Sequence, residues 1–228
     1  MKGKFYGIGV GPGDPELLTL KATKVLGNID VIAVPESKKE VGSVALDIAR
    51  PYLKLGVQII TLTFPMIRDE EAKAKVRRDN ALRISSEIEA GRNVAFLTLG
   101  DPMLYSTYIY LLENITNRGI EIISIPGIYS FSAISNLLNH PLVKGDESLA
   151  VISEFNTEEW PNLQSFQTIV CMKVSAYSQL LFDGLKTTPY RKFLMVTNAG
   201  KDSQTVSLDV TDLQRDVPYF TTVILSKE

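Results

Sequence analysis

The sequence predicts an α/β protein of two domains, and three observations carry that prediction. From Phe5 to Leu138, short β-branched strand patterns alternate with longer helical ones, the pattern of a parallel sheet covered by helices on both faces. After His140 the pattern changes, and strand candidates crowd together with two short helical stretches among them, as in a mixed sheet. The chain has 228 residues, 45% of them hydrophobic, enough for cores of ordinary size. The domains are expected over residues 1–125 and 146–228, joined by a connecting helix and linker at 126–145.

Each element follows from its residues. Phe5 to Val10 reads as the first strand. A helix is expected over Pro15 to Leu26, with Asp14 as its N-cap and proline at the first position, where a missing N–H costs nothing. Val31 to Val34 is a strand, and Gly42 to Leu53 a helix that Pro51 disturbs. Val57 to Leu62 is the third strand. Asp69 to Ala90 is a long amphipathic helix, with Gly91 suited to its C-cap and the charges from Arg68 to Arg83 on its wet face. The run NVAFLTLG, Asn93 to Gly100, is apolar enough to be a strand buried on both faces. Tyr105 to Asn117 is a helix, Ile120 to Ile125 a strand, and Gly127 to Leu138 another helix. The second half holds strands over Ser148–Phe155, Gln167–Val174, Lys192–Ala199 and Tyr219–Ser226, with a short one at Thr205–Leu208. Its helices are expected at Glu158–Leu163 and Ala176–Leu185.

Composition excludes several classes. A net charge of -2 provides no global basic field for nucleic acid or an anionic membrane surface. No apolar run approaches the ~20 residues of a membrane span. The start, MKGKFYGIGV, lacks the apolar stretch of a secretory signal, so a cytoplasmic location is expected. Cys171 and His140 are the only residues of their types, so no internal disulfide and no His/Cys metal site is expected. A Ser-His-Asp triad would have to use His140, which reads instead as a helix-end residue before Pro141; Cys171 reads as core. No general base is identified.

Three loops stand out: Gly9 to Asp14, Thr98 to Thr107 and Ile125 to Ser130. Each lies at the carboxyl end of an expected strand, where open α/β sheets bind ligands. Glycine allows close backbone approach and proline fixes the turn. A dinucleotide fingerprint fits the first loop poorly. Glycines fall at 7, 9, 11 and 13, the third fingerprint position lands on Pro12 or Asp14, and an aspartate at a helix mouth repels a pyrophosphate. Glu36 could still serve as the ribose acid, which keeps an NAD(P)-dependent oxidoreductase open; a Walker loop is excluded because no G-K-[ST] follows. In LGDP, Asp101 is either part of a common tight turn or a holder of a polar ligand. Ser106 and Thr107 are first-turn residues or ligand donors, and Lys38 and Lys39 are a solvated turn or a cationic grip on carboxylates.

Together and in this order, GIGVGPGDPELLTLKA, LTLGDPMLYSTY and IPGIYSF resemble the tetrapyrrole (corrin/porphyrin) methyltransferases over nearly the whole chain. Within that family, GDPMLYSTY and VPESKKEVGSVAL resemble the branch that methylates C20 of precorrin-2 or its cobalt-factor II counterpart in cobalamin biosynthesis. The resemblance implies two α/β domains with a ligand cleft between them, the class III S-adenosylmethionine-dependent methyltransferase fold, working as a homodimer. It implies a cofactor pocket of Pro12, Leu99, Gly100, Asp101, Leu104, Tyr129, Ser130, Met172, Asn198 and Ala199. At Met172-Lys173 the chain departs from the Met-Gly of other branches. The tetrapyrrole, a polycarboxylate, would be met by Gly11, Asp14, Lys38, Lys39, Tyr105, Ser106 and Tyr108. The activated methyl sulfonium and an electron-rich meso carbon then need mainly proximity and alignment. Methylation of metal-free precorrin-2 or at another position of the ring, and a non-catalytic tetrapyrrole- or adenosine-binding protein, are the alternatives.

Overall fold

The computed structural model describes residues 2–35, 43–65, 67, 69–187 and 190–227. The chain forms two compact units, Met1–Tyr129 and Ser130–Glu228.

The first unit is a five-stranded, wholly parallel sheet of β1 (Phe5–Gly9), β2 (Val31–Pro35), β3 (Gln58–Leu62), β4 (Val94–Thr98) and β5 (Ile122–Ile125), ordered β3-β2-β4-β1-β5. Helices α1 (Leu20–Leu26), α2 (Val44–Ala49), α3 (Glu70–Glu89) and α4 (Tyr108–Ile115) connect the strands. Strand β4 shows why its run is apolar throughout. Ala95 and Leu97 join a core layer with Ile8, Leu26 and Leu46, whereas Val94 and Phe96 join the opposite layer with Ile84, Ile88 and Leu111. Alternate side chains thus feed two cores, and each face must be apolar.

Most helices start a few residues later than expected, and two of them show why. Leu18 and Thr19 are extended, so Pro15–Leu26 divides into a 3-10 turn, Pro15–Leu17, and α1. Asp14 caps the turn and Thr19 caps α1, its hydroxyl accepting from the Ala22 N–H. Helix α4 begins at Tyr108 rather than at Tyr105, which takes a left-handed φ of 50°. Helix α3 is capped by Asp69, whose side chain accepts from the Glu71 and Ala72 N–H groups, and Gly91 follows with φ 84°, as its C-terminal position requires.

The second unit is a mixed sheet of β6 (Leu149–Ile152), β7 (Thr168–Met172), β8 (Lys192–Thr197), β9 (Thr205–Ser207) and β10 (Thr221–Ser226), ordered β6-β7-β10-β8-β9. Only β6 and β7 run parallel; the other pairs are antiparallel. Helices α5 (Ser130–Leu137), α6 (Trp160–Leu163) and α7 (Ser178–Leu185) belong to this unit. Its core gathers Ile169, Cys171, Val223 and Leu225 with Phe155, Trp160, Tyr177 and Leu181. Cys171 is core as read, and burial pushes its thiol up to about 12. His140 lies just past the end of α5, its carbonyl accepting from Ser135 Oγ at 2.6 Å.

Candidate functional site

Strands β4, β1 and β5 are neighbours, and the register pairs Gly9 with Thr98 and Ile8 with Ile125, so all three end at one level. The three loops emerge there together. The Val10 N–H donates to the Thr98 carbonyl at 2.9 Å. Gly11 and Gly100 then exchange backbone hydrogen bonds of 3.3 and 2.8 Å, both in left-handed geometry. The third loop packs just as closely. A Cβ on Gly127 would lie 2.0 Å from the Gly100 carbonyl oxygen, and one on Gly9 would lie 2.6 Å from both that oxygen and the Gly127 nitrogen. Only glycine fits where three backbones touch.

Asp101 completes this cluster. It is 7% exposed, and its Oδ1 accepts from the Met103 N–H at 2.8 Å while Oδ2 accepts from the Gly127 N–H at 3.0 Å. One carboxylate therefore closes its own turn and ties the second loop to the third. The turn reading holds, with a tether added.

The amides of the first loop also answer the nucleotide question. Those of Val10 and Gly11 are spent on the second loop, and the Asp14 Oδ1 accepts from the Glu16 N–H at 2.8 Å. A phosphate cradle needs such amides free and a helix N-terminus behind them. Here the turn after the loop is three residues long and capped by a carboxylate.

Several expected ligand contacts are scaffold instead. Tyr108, expected at the substrate, is fully buried, with its hydroxyl 2.7 Å from Ser124 Oγ and its ring against Phe5 and Phe96. The ring fills the space over Gly7, whose Cβ would lie 2.2 Å from it. No surface remains for a ligand, so the substrate role is withdrawn. Ser106 is 9% exposed; its Oγ accepts from the Tyr108 N–H at 3.0 Å and lies 3.3 Å from Thr98 Oγ1, which fixes the start of α4 against β4. What the loops present outward is Met103 and Tyr105, exposed, with Leu99, Gly100, Leu104 and Tyr129 half-buried. Burial, and then the charge of Asp101, raise the Tyr129 phenol above its ordinary value. Pro12 and Gly11 are buried beneath. Glu36, Lys38 and Lys39 lie outside the described residues.

In the second unit, Ser130, Met172, Asn198 and Ala199 come to one end of the sheet, around the start of β10. Met172 pairs with Thr222, and the Asn198 N–H donates to the Phe220 carbonyl at 2.9 Å. Ser130 Oγ lies 3.4 Å from Thr222 Oγ1, and Thr197 and Thr221 join hydroxyls at 2.7 Å. The sequence reading missed Thr222 and Lys201, whose ammonium lies 4.0 Å over the Phe220 ring. No local signal marks them, because strand pairing far apart in sequence brings them here. Among the described residues no group of three or more metal-binding side chains occurs, and no helix is long and apolar enough to cross a membrane.

The first arrangement, with its Val10 and Gly11 amides spent on the second loop, disfavours a phosphate-bearing ligand. Comparison with known proteins points the same way. Residues 4–213 match the family of tetrapyrrole (corrin/porphyrin) methylases. The cobalt-precorrin-2 C(20)-methyltransferase of Salmonella typhimurium is 35% identical over 235 aligned residues, spanning 100% of this chain and 98% of that protein. The probable cobalt-precorrin-2 C(20)-methyltransferase of Methanocaldococcus jannaschii is 42% identical over 178 residues, 78% of this chain and 75% of its own. Among solved structures, uroporphyrin-III C-methyl transferase from Thermus thermophilus complexed with S-adenyl homocysteine shares the fold at a TM-score of 0.72 and 21% identity, covering 99% of this chain and 92% of that one. With the glycine loops intact and the match running through both units, the chain belongs to the tetrapyrrole (corrin/porphyrin) methylase family.

Proposed function

We propose that this chain transfers a methyl group from S-adenosylmethionine to C20 of cobalt-factor II or cobalt-precorrin-2 in cobalamin biosynthesis. The observation that carries this reading is identity along the whole chain to a relative named for that activity. The loop cluster supports it, because the Val10, Gly11 and Gly100 amides are spent on neighbouring loops and so do not cradle a phosphate.

The residues proposed to hold the cofactor are Pro12, Leu99, Gly100, Leu104 and Tyr129 of the first unit and Ser130, Met172, Asn198 and Ala199 of the second. Asp101 acts on it indirectly, as a positioning residue. S-Adenosylmethionine supplies a methyl group already activated as a sulfonium. The protein's part is then to align donor and acceptor and to exclude water, and effective molarities of well-aligned pairs are worth ~7 kcal/mol or more. The clustered glycines give the loops one rigid shape for that task. Tyr105 is proposed to face the tetrapyrrole, and Lys38 and Lys39 to draw its carboxylates; Gly11, buried and bonded to Gly100, shapes the loop instead. Asp14 is better assigned to capping, since a carboxylate repels a polycarboxylate. A homodimer in the cytoplasm, with domains over 1–125 and 146–228, remains part of the proposal.

Titration calorimetry with S-adenosylhomocysteine, followed by incubation with S-adenosylmethionine and factor II with and without cobalt, tests the reading. Binding and a mass gain of one methyl on the cobalt form support it. Methylation of the metal-free reduced form alone would keep the family and reverse the branch. No binding would discard the activity.

A further inference from the structure

The turn between β8 and β9 carries Asn198 and Ala199, both proposed to hold the cofactor. It must reverse the chain between Thr197 and Thr205, which the antiparallel register sets opposite each other. Asn198 takes φ 54° and Gly200 φ 77° to do so, a region that asparagine and glycine tolerate. The backbone closes on itself twice. The Lys201 N–H donates to the Asn198 carbonyl at 3.1 Å, and the Gln204 N–H donates to the Lys201 carbonyl at 3.0 Å. Neither bond uses the amide of Gly200, an exposed residue between Ala199 and Lys201.

A side chain holds that amide. The Gly200 N–H donates to Gln204 Oε1 at 2.8 Å. The bond joins the residue after Ala199 to the residue before β9, across the mouth of the turn. The turn is tied to β10 by other means: the Asn198 N–H donates to the Phe220 carbonyl at 2.9 Å, and the Lys201 ammonium lies 4.0 Å over the Phe220 ring. Gln204 supplies the tie to β9. Glycine has the widest backbone choice of any residue, so Gly200 is where the turn would open if that tie were lost. Gln204 does not belong to the second unit's apolar core, so its loss should change the shape of the turn more than the stability of the fold.

We infer that Gln204 is a positioning residue for the cofactor. Through the Gly200 amide it holds Asn198 and Ala199 in the shape that receives S-adenosylmethionine, and it touches no reacting atom itself. This rests on the methyltransferase reading and on the place given there to Asn198 and Ala199. The gain is preorganisation: the turn is ordered before the ligand arrives, so less binding free energy is spent on ordering it.

Gln204→Met and Gln204→Glu in the full chain test this. Methionine keeps the length of the side chain and removes the acceptor, whereas glutamate keeps an oxygen in its place. The Kd for S-adenosylhomocysteine, read by titration calorimetry, should rise about fivefold in Gln204→Met, as for a turn that holds its competent shape a fifth of the time. Gln204→Glu should restore most of that affinity. KM for cobalt-factor II at saturating S-adenosylmethionine should be unchanged in both, and Tm should fall by ~2 °C at most. In protein labelled on glycine nitrogen, hydrogen exchange at the Gly200 amide should quicken in Gln204→Met alone. Parental affinity with a quickened amide would take the turn away from the cofactor. Parental affinity with an unchanged amide would show that the tether holds nothing. Equal losses of affinity in the two variants would mean that the acceptor is not what matters. Each of these results overturns the inference. Failure of the parent chain to bind S-adenosylhomocysteine would instead refute the function, before any variant is compared.

Discussion

Replacing Asp101 with alanine removes both acceptors of the loop cluster at once. Two N–H groups, those of Met103 and Gly127, lose bonds of 2.8 and 3.0 Å at a residue only 7% exposed. A hydrogen bond to a charged group is worth about 1.5–3 kcal/mol, but water can enter the gap and repair part of the loss, so a net cost of about 3 kcal/mol is expected. For a chain of this length that corresponds to a Tm lower by ~6–12 °C. Binding suffers through geometry. If the untethered loops hold the competent shape a tenth of the time, the Kd for S-adenosylhomocysteine rises about tenfold. Asp101→Asn keeps one acceptor and turns an amide nitrogen toward the other N–H, so it should lie between parent and alanine in both measurements. Scanning calorimetry and titration calorimetry read the two effects. Positioning predicts that they move together across the pair of variants. An asparagine variant with parental Tm and no cofactor binding would mean that Asp101 touches the ligand itself, and the tether argument would fail.

Gly127→Ala should be at least as damaging, because its Cβ would lie 2.0 Å from a backbone oxygen that cannot move without opening the Gly11–Gly100 bridge. Soluble yield and Tm report this, and parental stability would show that the three backbones are not in contact. Tyr108→Phe removes a hydroxyl bonded only to Ser124 in the core, at a cost of about 1 kcal/mol in denaturant unfolding, with KM for the tetrapyrrole unchanged. A selective rise in KM would return Tyr108 to the substrate. Asp30 receives Lys54 Nζ at 2.6 Å and the Asn93 N–H at 2.9 Å, and those bonds, the lysine's first, hold its carboxyl below the ordinary value. The stability it contributes is therefore complete above about pH 4, the unfolded value, and is lost as pH falls through its folded value. Asp30→Asn should lower Tm at pH 7 and flatten its fall below pH 4; parallel curves for the two proteins would contradict this.

The sequence carried the strands well because their signal is local. NVAFLTLG could hardly be anything but a doubly buried strand, and β4 divides its side chains between two cores. Helix starts were less legible, since they turn on single residues. Thr19 caps α1 as a threonine before an apolar run should, yet Asp14 and Pro15 gave an equally good start five residues earlier. The loops were legible as a set, while their internal wiring was not. That Asp101 reaches Gly127 depends on β4 and β5 flanking β1, which is a property of topology and cannot be read from LGDP alone. The end of the second unit's sheet was legible only through resemblance, because Thr222 meets Ser130 and Met172 across long stretches of chain.

This wiring bears on what kind of catalyst the chain can be. The polar side chains that first look functional, Asp101, Ser106 and Tyr108, are all consumed in holding the loops, each with a partner within 3.0 Å. An enzyme that had to move protons in its rate-limiting step would be poorly served by such an arrangement, since a general base needs a lone pair free to approach substrate. A methyl transfer from a sulfonium needs alignment above all. For that chemistry, spending carboxylate and hydroxyls on rigidity is the effective use of them. Tyr105, exposed on the second loop with a left-handed backbone, is then a place where the chain accepts strain to set a side chain.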